Sequence, residues 1–145
     1  MSMSDFRFAA DVRVRLPETD AFGVCYHGSF FTYFDVARMD YLRAAGLMDV
    51  VKAGRASNLI VHSSADFKSP AGFDDLLTVR ARVAELGSTS FTFEFRVERK
   101  EDGALVATGR SVHVTIDAAT RRPVPLPDEL RQAVRRVEGP ALRER

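Results

Sequence analysis

Residues 29–45 read SFFTYFDVARMDYLRAA, and their period decides the fold. Phe30, Phe34, Ala37, Tyr41 and Ala45 fall at spacings of four, three, four and four, with Phe31, Arg38 and Leu42 alongside. That is one long helix with a broad apolar face. Ser29 is its expected N-cap, since a hydroxyl can accept an orphan amide of the first turn, and Gly46 is placed for a left-handed C-terminal cap. The face is wide enough for a curling sheet to nearly swallow the helix.

On both sides of this helix the period drops to two. FAADVRVRL (8–16) sets Phe8, Ala10, Val12, Val14 and Leu16 against Asp11, Arg13 and Arg15, a half-buried strand closed by Pro17. Residues 47–57 read as a short helical turn and loop, NLIVHSSADF (58–67) as a strand and KSPAGFDD (68–75) as a loop. LLTVRARVAEL (76–86), SFTFEFRVERK (90–100) and ALVATGRSVHVTID (104–117) alternate again. The short turns GST (87–89) and EDG (101–103) between them predict an antiparallel meander. A terminal helix is expected from Pro127 to Val137, with Leu130, Ala133, Val134 and Val137 inward. The order predicts an α+β fold, one antiparallel sheet packed on one main helix, whose outer face needs a partner such as a second subunit.

Composition narrows the function. The 145 residues are 46% hydrophobic and 28% charged, the profile of one globular domain covering residues 1–145. No apolar run approaches the roughly 18 to 20 residues of a spanning helix, and MSMSDFRF has no apolar core for a secretory signal, so a cytoplasmic location and no membrane partner are expected. Cys25 is the sole cysteine, which rules out an internal disulfide and a CxxC metal site. With 21 Lys and Arg against 20 Asp and Glu, nucleic acid is not expected as a main partner. Residues 121–145 hold seven Arg against four acids, read as a solvated helix and tail.

Phosphate-binding glycine motifs and a GxSxG elbow are both missing. His27, His62 and His113 lack HExxH spacing, although His62 and His113 could meet on neighbouring strands; no metal is expected. Cys25 lies two residues before His27, but a thiolate–imidazole pair needs a third orienting group, and a buried apolar thiol is the simpler reading. Asp20 precedes the helix by one short loop containing Gly23. Free amides at a helix N-terminus can polarise a carbonyl oxygen, and a carboxylate beside them could attack that carbonyl or activate water toward it. Equally, Asp20 could simply cap the amides of a turn.

The stretch ETDAFGVCYHGSFFTYFDVARMDYLRAAGL (18–47) resembles the D-x-x-G-x-x-Y-H segment and following helix of hotdog-fold acyl-CoA thioesterases of the 4-hydroxybenzoyl-CoA thioesterase type. ADFKSPAGFDDLLTVRARVAELGSTSFTFEFRVER (65–99) resembles the family's Pro-Ala-x-x-x-D-D-x-L stretch and long strand pair, and RRPVPLPDELR (121–131) its closing loop and helix. The resemblance implies a hotdog fold, hydrolysis of an acyl-CoA to a carboxylic acid and coenzyme A, and no metal or redox cofactor. It casts Asp20 as nucleophile or general base and the His27 backbone amide as the group polarising the thioester carbonyl, with Tyr26 and Gly28 lining the same turn as substrate-binding residues. It also implies two chains joined in a continuous sheet, a homodimer or homotetramer with the acyl pocket between them. Gly72 departs from the pattern, since many relatives carry Arg there.

Two rival readings use the same residues. An acyl-thioester dehydratase or hydratase would employ His27 with an acid such as Asp35, and a non-catalytic acyl-binding protein would keep the fold without turnover.

Overall fold

A computed structural model describes residues 3–55 and 57–145. Among these residues six strands and three α-helices follow in the order β1 (Phe8–Arg13), α1 (Ser29–Ala44), α2 (Met48–Lys52), β2 (Asn58–Phe67), β3 (Leu76–Leu86), β4 (Ser90–Arg99), β5 (Leu105–Thr115), α3 (Asp128–Glu138) and β6 (Arg143–Glu144). The sheet runs β1-β3-β4-β5-β2, and its named neighbours are antiparallel except for the short β6, which pairs parallel with the end of β3. The meander is therefore present as expected, and β2, the first strand after α1, returns to the far edge beside β5.

Alternation explains which sheet face is inward. Phe91, Phe93, Phe95 and Val97 on β4 are buried, as are Leu77, Val79, Ala81 and Val83 on β3. Onto them α1 lays Phe34, whose ring stacks on Phe95 at 4.6 Å, and Tyr41, which meets Phe93 edge-on at 5.2 Å. Gly109 lies opposite Phe95 on β5, and a Cβ there would sit 2.4 Å from the Phe34 ring, so the small residue makes room for the helix. Burying each such aromatic is worth about 2–3 kcal/mol.

The helix is less enclosed than its sequence suggests. Phe30, Tyr33, Phe34, Ala37, Tyr41 and Leu42 are buried, while Thr32, Asp35, Val36 and Arg43 on the other side are exposed. Nor is the outer sheet face an apolar surface awaiting cover: Arg82 pairs with Glu94 at 2.9 Å, and Glu98 joins Arg80 at 3.0 Å to Arg96 at 2.7 Å. These pairs, two of them across β3 and β4 and one within β4, satisfy Arg80, Arg82, Glu94, Arg96 and Glu98 within one chain.

Boundaries differ in physically informative ways. The first strand stops at Arg13, because the facing chain bends at Asp74 (φ 68°), whose amide takes the Val14 carbonyl out of the ladder's register, and Leu16–Glu18 curls into a 3₁₀ turn that takes in Pro17. Ser29 does not cap α1. Gly28 stands at the N-cap, and the Ser29 hydroxyl donates instead to the Glu18 carbonyl at 3.1 Å. Gly46 adopts the expected positive φ of 77°. At the chain's end α3 buries Leu130, Ala133 and Val134 as predicted and leaves Val137 half-buried, but the tail is not simply solvated: Arg143 and Glu144 form β6 alongside the end of β3, and Glu144 pairs with Arg135 at 2.8 Å.

Candidate active site

The Asp20 loop is built by local hydrogen bonds. The Asp20 amide donates to the Val24 carbonyl at 2.9 Å, and Asp20 Oδ1 accepts from the amides of Phe22 at 2.9 Å and Val24 at 3.4 Å. Gly23 closes the turn at φ 79°, a region that L side chains seldom enter. The turn-capping role of Asp20 is therefore real, but it occupies one carboxylate oxygen. Among the described residues Oδ2 accepts nothing, which leaves it available for chemistry.

Beyond the turn, the chain runs back along itself before entering α1. Thr19 bridges to Cys25 and Val24 to Gly72, the Cys25 amide donates to Ala71 at 2.7 Å and the Tyr26 amide to Glu18 at 2.8 Å. Ser29 and Phe30 then donate to the carbonyls of Tyr26 and His27. Between these committed groups, the His27 and Gly28 amides have no acceptor among the described residues. Two successive free N–H groups at the start of a 16-residue helix are an anion-binding arrangement, reinforced by the helix dipole.

A cleft of about 420 Å³ opens here, lined by Asp20, Val24, Cys25, His27, Phe30 and the segment Phe67–Ala71. Asp20 and His27 thus face the same space, as the sequence predicts. Its apolar wall is aromatic: Phe30 lies 5.5 Å from Phe67, and the His27 ring packs at 4.3 Å on Tyr26 and 6.2 Å from Phe67. Tyr26 is half exposed, and its ring covers Gly28 so closely that a Cβ there would lie 2.6 Å from Cε2. Phe31 and Phe34 point elsewhere, Phe34 into the core.

Other candidates fall away on geometry. The Cys25 thiol is buried against the Tyr33 hydroxyl at 3.6 Å, and burial pushes it up from the ordinary thiol range, the opposite of an activated nucleophile. Asp35 pairs with Arg38 at 3.1 Å on α1 and is not among the residues lining the cleft, so it is not placed as the acid partner of His27 that a dehydratase reading calls for. His62 and His113 do sit on paired strands, but they do not meet. His62 is exposed, whereas His113 is fully buried, donating through Nδ1 to Asn58 at 3.0 Å and accepting from Ser111 at Nε2 at 2.9 Å. Among the described residues no three His, Cys, Asp or Glu side chains cluster as metal ligands, and no helix is long and apolar enough to cross a membrane.

Some cleft residues were not legible as such. Phe67, Lys68 and Ser69 enter only because β2 ends beside the α1 N-terminus, and no local motif announces that approach. Glu18 had a signal: Tyr33 lies on the apolar face of α1, and a buried phenol requires a hydrogen-bond partner. Tyr33 donates to Glu18 Oε1 at 2.9 Å.

An α+β hotdog fold carrying an acid beside free amides at the start of its main helix defines the class. Residues 14–134 match the thioesterase-like superfamily, and the chain belongs to it. It is 31% identical to acyl-CoA thioesterase YbgC of Haemophilus influenzae, over 90% of this chain and 96% of that relative. Among solved structures, a 1,4-dihydroxy-2-naphthoyl-CoA thioesterase from Synechocystis superposes with a TM-score of 0.83 at 27% identity, covering 92% of this chain and 98% of the other. A thioesterase from Thermus thermophilus, complexed with coenzyme A and Zn, gives 0.80 at 26% identity, covering 94% and 98%.

Proposed function

We propose that this thioester hydrolase cleaves an acyl-CoA to a carboxylic acid and coenzyme A, with Asp20 and the His27 amide as its working groups. The observation that carries this reading is that Asp20, with one carboxylate oxygen free, and His27, whose amide has no acceptor among the described residues, line one cleft at the start of α1. The thioester oxygen takes the amides at the α1 N-terminus, where negative charge developing in the tetrahedral transition state is stabilised; one such donor is commonly worth about 2.7–4 kcal/mol. Asp20 Oδ2 then serves in one of two ways. As a nucleophile it bonds to the carbonyl carbon, the C–S bond breaks, the coenzyme A thiolate leaves and takes a proton, and water cleaves the resulting anhydride. As a general base it removes a proton from water, whose oxygen attacks the same carbon; the C–S bond then breaks, and the coenzyme A thiolate leaves and takes up a proton. Neither route calls on a metal or redox cofactor.

The acyl group lies against Phe30 and Phe67, and Tyr26 and Gly28 shape the turn above it. The second subunit pairs along β2. This ten-residue strand forms an edge of the sheet, and its Leu59, Ile60, Val61 and Phe67 are exposed, a combination that favours pairing with another strand. Pairing there brings a partner chain beside Phe67 at the cleft, as a homodimer or a pair of dimers.

The test is a panel of short, long and aromatic acyl-CoA thioesters, with free thiol and enoyl product followed together. Thiol release supports the reading; enoyl formation without thiol would establish dehydratase chemistry instead, and no turnover on any member would leave only acyl binding.

A further inference from the structure

Glu18, two residues before Asp20, ties several parts of the site together through both its backbone and its side chain. Its carbonyl oxygen accepts from the Tyr26 amide at 2.8 Å and from the Ser29 hydroxyl at 3.1 Å. Its carboxylate accepts from the Tyr33 hydroxyl at 2.9 Å, from the Arg15 amide at 2.9 Å and from the Arg15 guanidinium. Ser29 and Tyr33 are four residues apart on α1, so Glu18 grips two successive turns of one helix face. Tyr26 immediately precedes His27, so the same residue also sets where the free amides begin.

We propose that Glu18 and Tyr33 are positioning residues for thioester cleavage, a clamp that holds the Asp20 loop in register with the His27 and Gly28 amides. The inference rests on the reading of Asp20 and those amides given above, and extends it to two side chains outside the cleft lining.

Burial and charge suit both members to the task. Tyr33 is fully buried, and burial, followed by its bonds with Cys25 and Glu18, raises its phenol far above the usual range, so it remains a donor. The Arg15 guanidinium holds the Glu18 carboxyl below its usual range, so it remains a charged acceptor. A charge-assisted bond of this kind is about twice as strong as a neutral one and more tightly directed. Catalysis feels such registration strongly, since a misplacement of about 1 Å can cost on the order of 100-fold in rate.

Tyr33→Phe removes one oxygen and keeps the ring in the core. Glu18→Leu removes the acceptor but leaves both backbone contacts, and Glu18→Gln keeps an acceptor for Tyr33. Steady-state thiol release is measured for each on the best substrate of a benzoyl-CoA and hexanoyl-CoA pair, at a temperature where circular dichroism shows every variant folded. The clamp predicts that Tyr33→Phe and Glu18→Leu lower kcat about tenfold with KM within about twofold, that Glu18→Gln recovers most of the rate, and that the double variant is no worse than the poorer single one. Unchanged kcat in folded Tyr33→Phe and Glu18→Leu, or losses that simply multiply in the double variant, would overturn it. Asp20→Asn run alongside separates the two claims. If that variant is inactive while Tyr33→Phe is normal, only the clamp fails; if it retains full activity, the catalytic reading fails and the clamp with it.

Discussion

Asp20 and Val24 hold each other through two hydrogen bonds, the Asp20 amide to the Val24 carbonyl at 2.9 Å and the Val24 amide to the Asp20 carboxylate at 3.4 Å. The loop between them turns at Gly23, whose φ of 79° is the condition for both contacts. A Cβ at Gly23 would meet nothing within 4 Å, so Gly23→Ala is a test of backbone conformation alone. The substitution is expected to cost about 1–2 kcal/mol in denaturant unfolding and to lower thiol release by a larger factor than the folded fraction explains, because the carboxylate is re-aimed.

His27 acts through its backbone in this account, and two substitutions separate ring from amide. His27→Ala keeps the N–H and should remain within about tenfold of the parent in kcat. His27→Pro deletes the N–H, and loss of one oxyanion donor is worth about 100- to 1,000-fold. The kcat of the two purified, folded proteins decides the matter; a larger loss in the alanine variant would return the chemistry to the imidazole.

His113 supplies a pH dependence of stability. Burial, with a smaller contribution from the nearby Arg38 charge, lowers its pKa from 6.5 to about 4, so the fold holds the neutral ring between Asn58 and Ser111. Above the unfolded value near 6.5 this contribution is complete; as pH falls toward 4 the unfolded chain takes up a proton that the fold refuses, and stability declines. The full effect is at most about 3 kcal/mol. Urea unfolding at pH 7 and pH 5 should show a smaller pH difference for His113→Gln than for the parent.

Pairing along β2 predicts a change in mass. Leu59→Lys with Val61→Lys places two charges on the exposed edge strand without touching the buried core. Light scattering should find the parent as a dimer or tetramer and the double variant shifted toward monomer.

How far the sequence carries depends on the range of the interactions. The helix at 29–44 and the three meander strands were readable because each repeats its own period over ten or more residues. Asp20 and His27 were readable because one short loop suffices to bring them to one helix end. What escaped depends on distant segments. Asp74 bonds to Val14 and ends the β1 ladder, Arg143 pairs beside β3, and Phe67 reaches the cleft from the opposite edge of the sheet. Ser29 was misread because its hydroxyl has a better partner in Glu18, eleven residues back, than in its own helix.

The central claim is that the Asp20 carboxylate performs the cleavage, and Asp20→Asn addresses it most directly, since the amide oxygen can still accept from Phe22 and Val24 and so keep the turn. Thiol release from the preferred acyl-CoA should fall by about 1,000-fold or more with the unfolding curve nearly unchanged, the magnitude expected when a general base or nucleophile is lost. Activity within a few-fold of the parent in that folded variant would contradict the account.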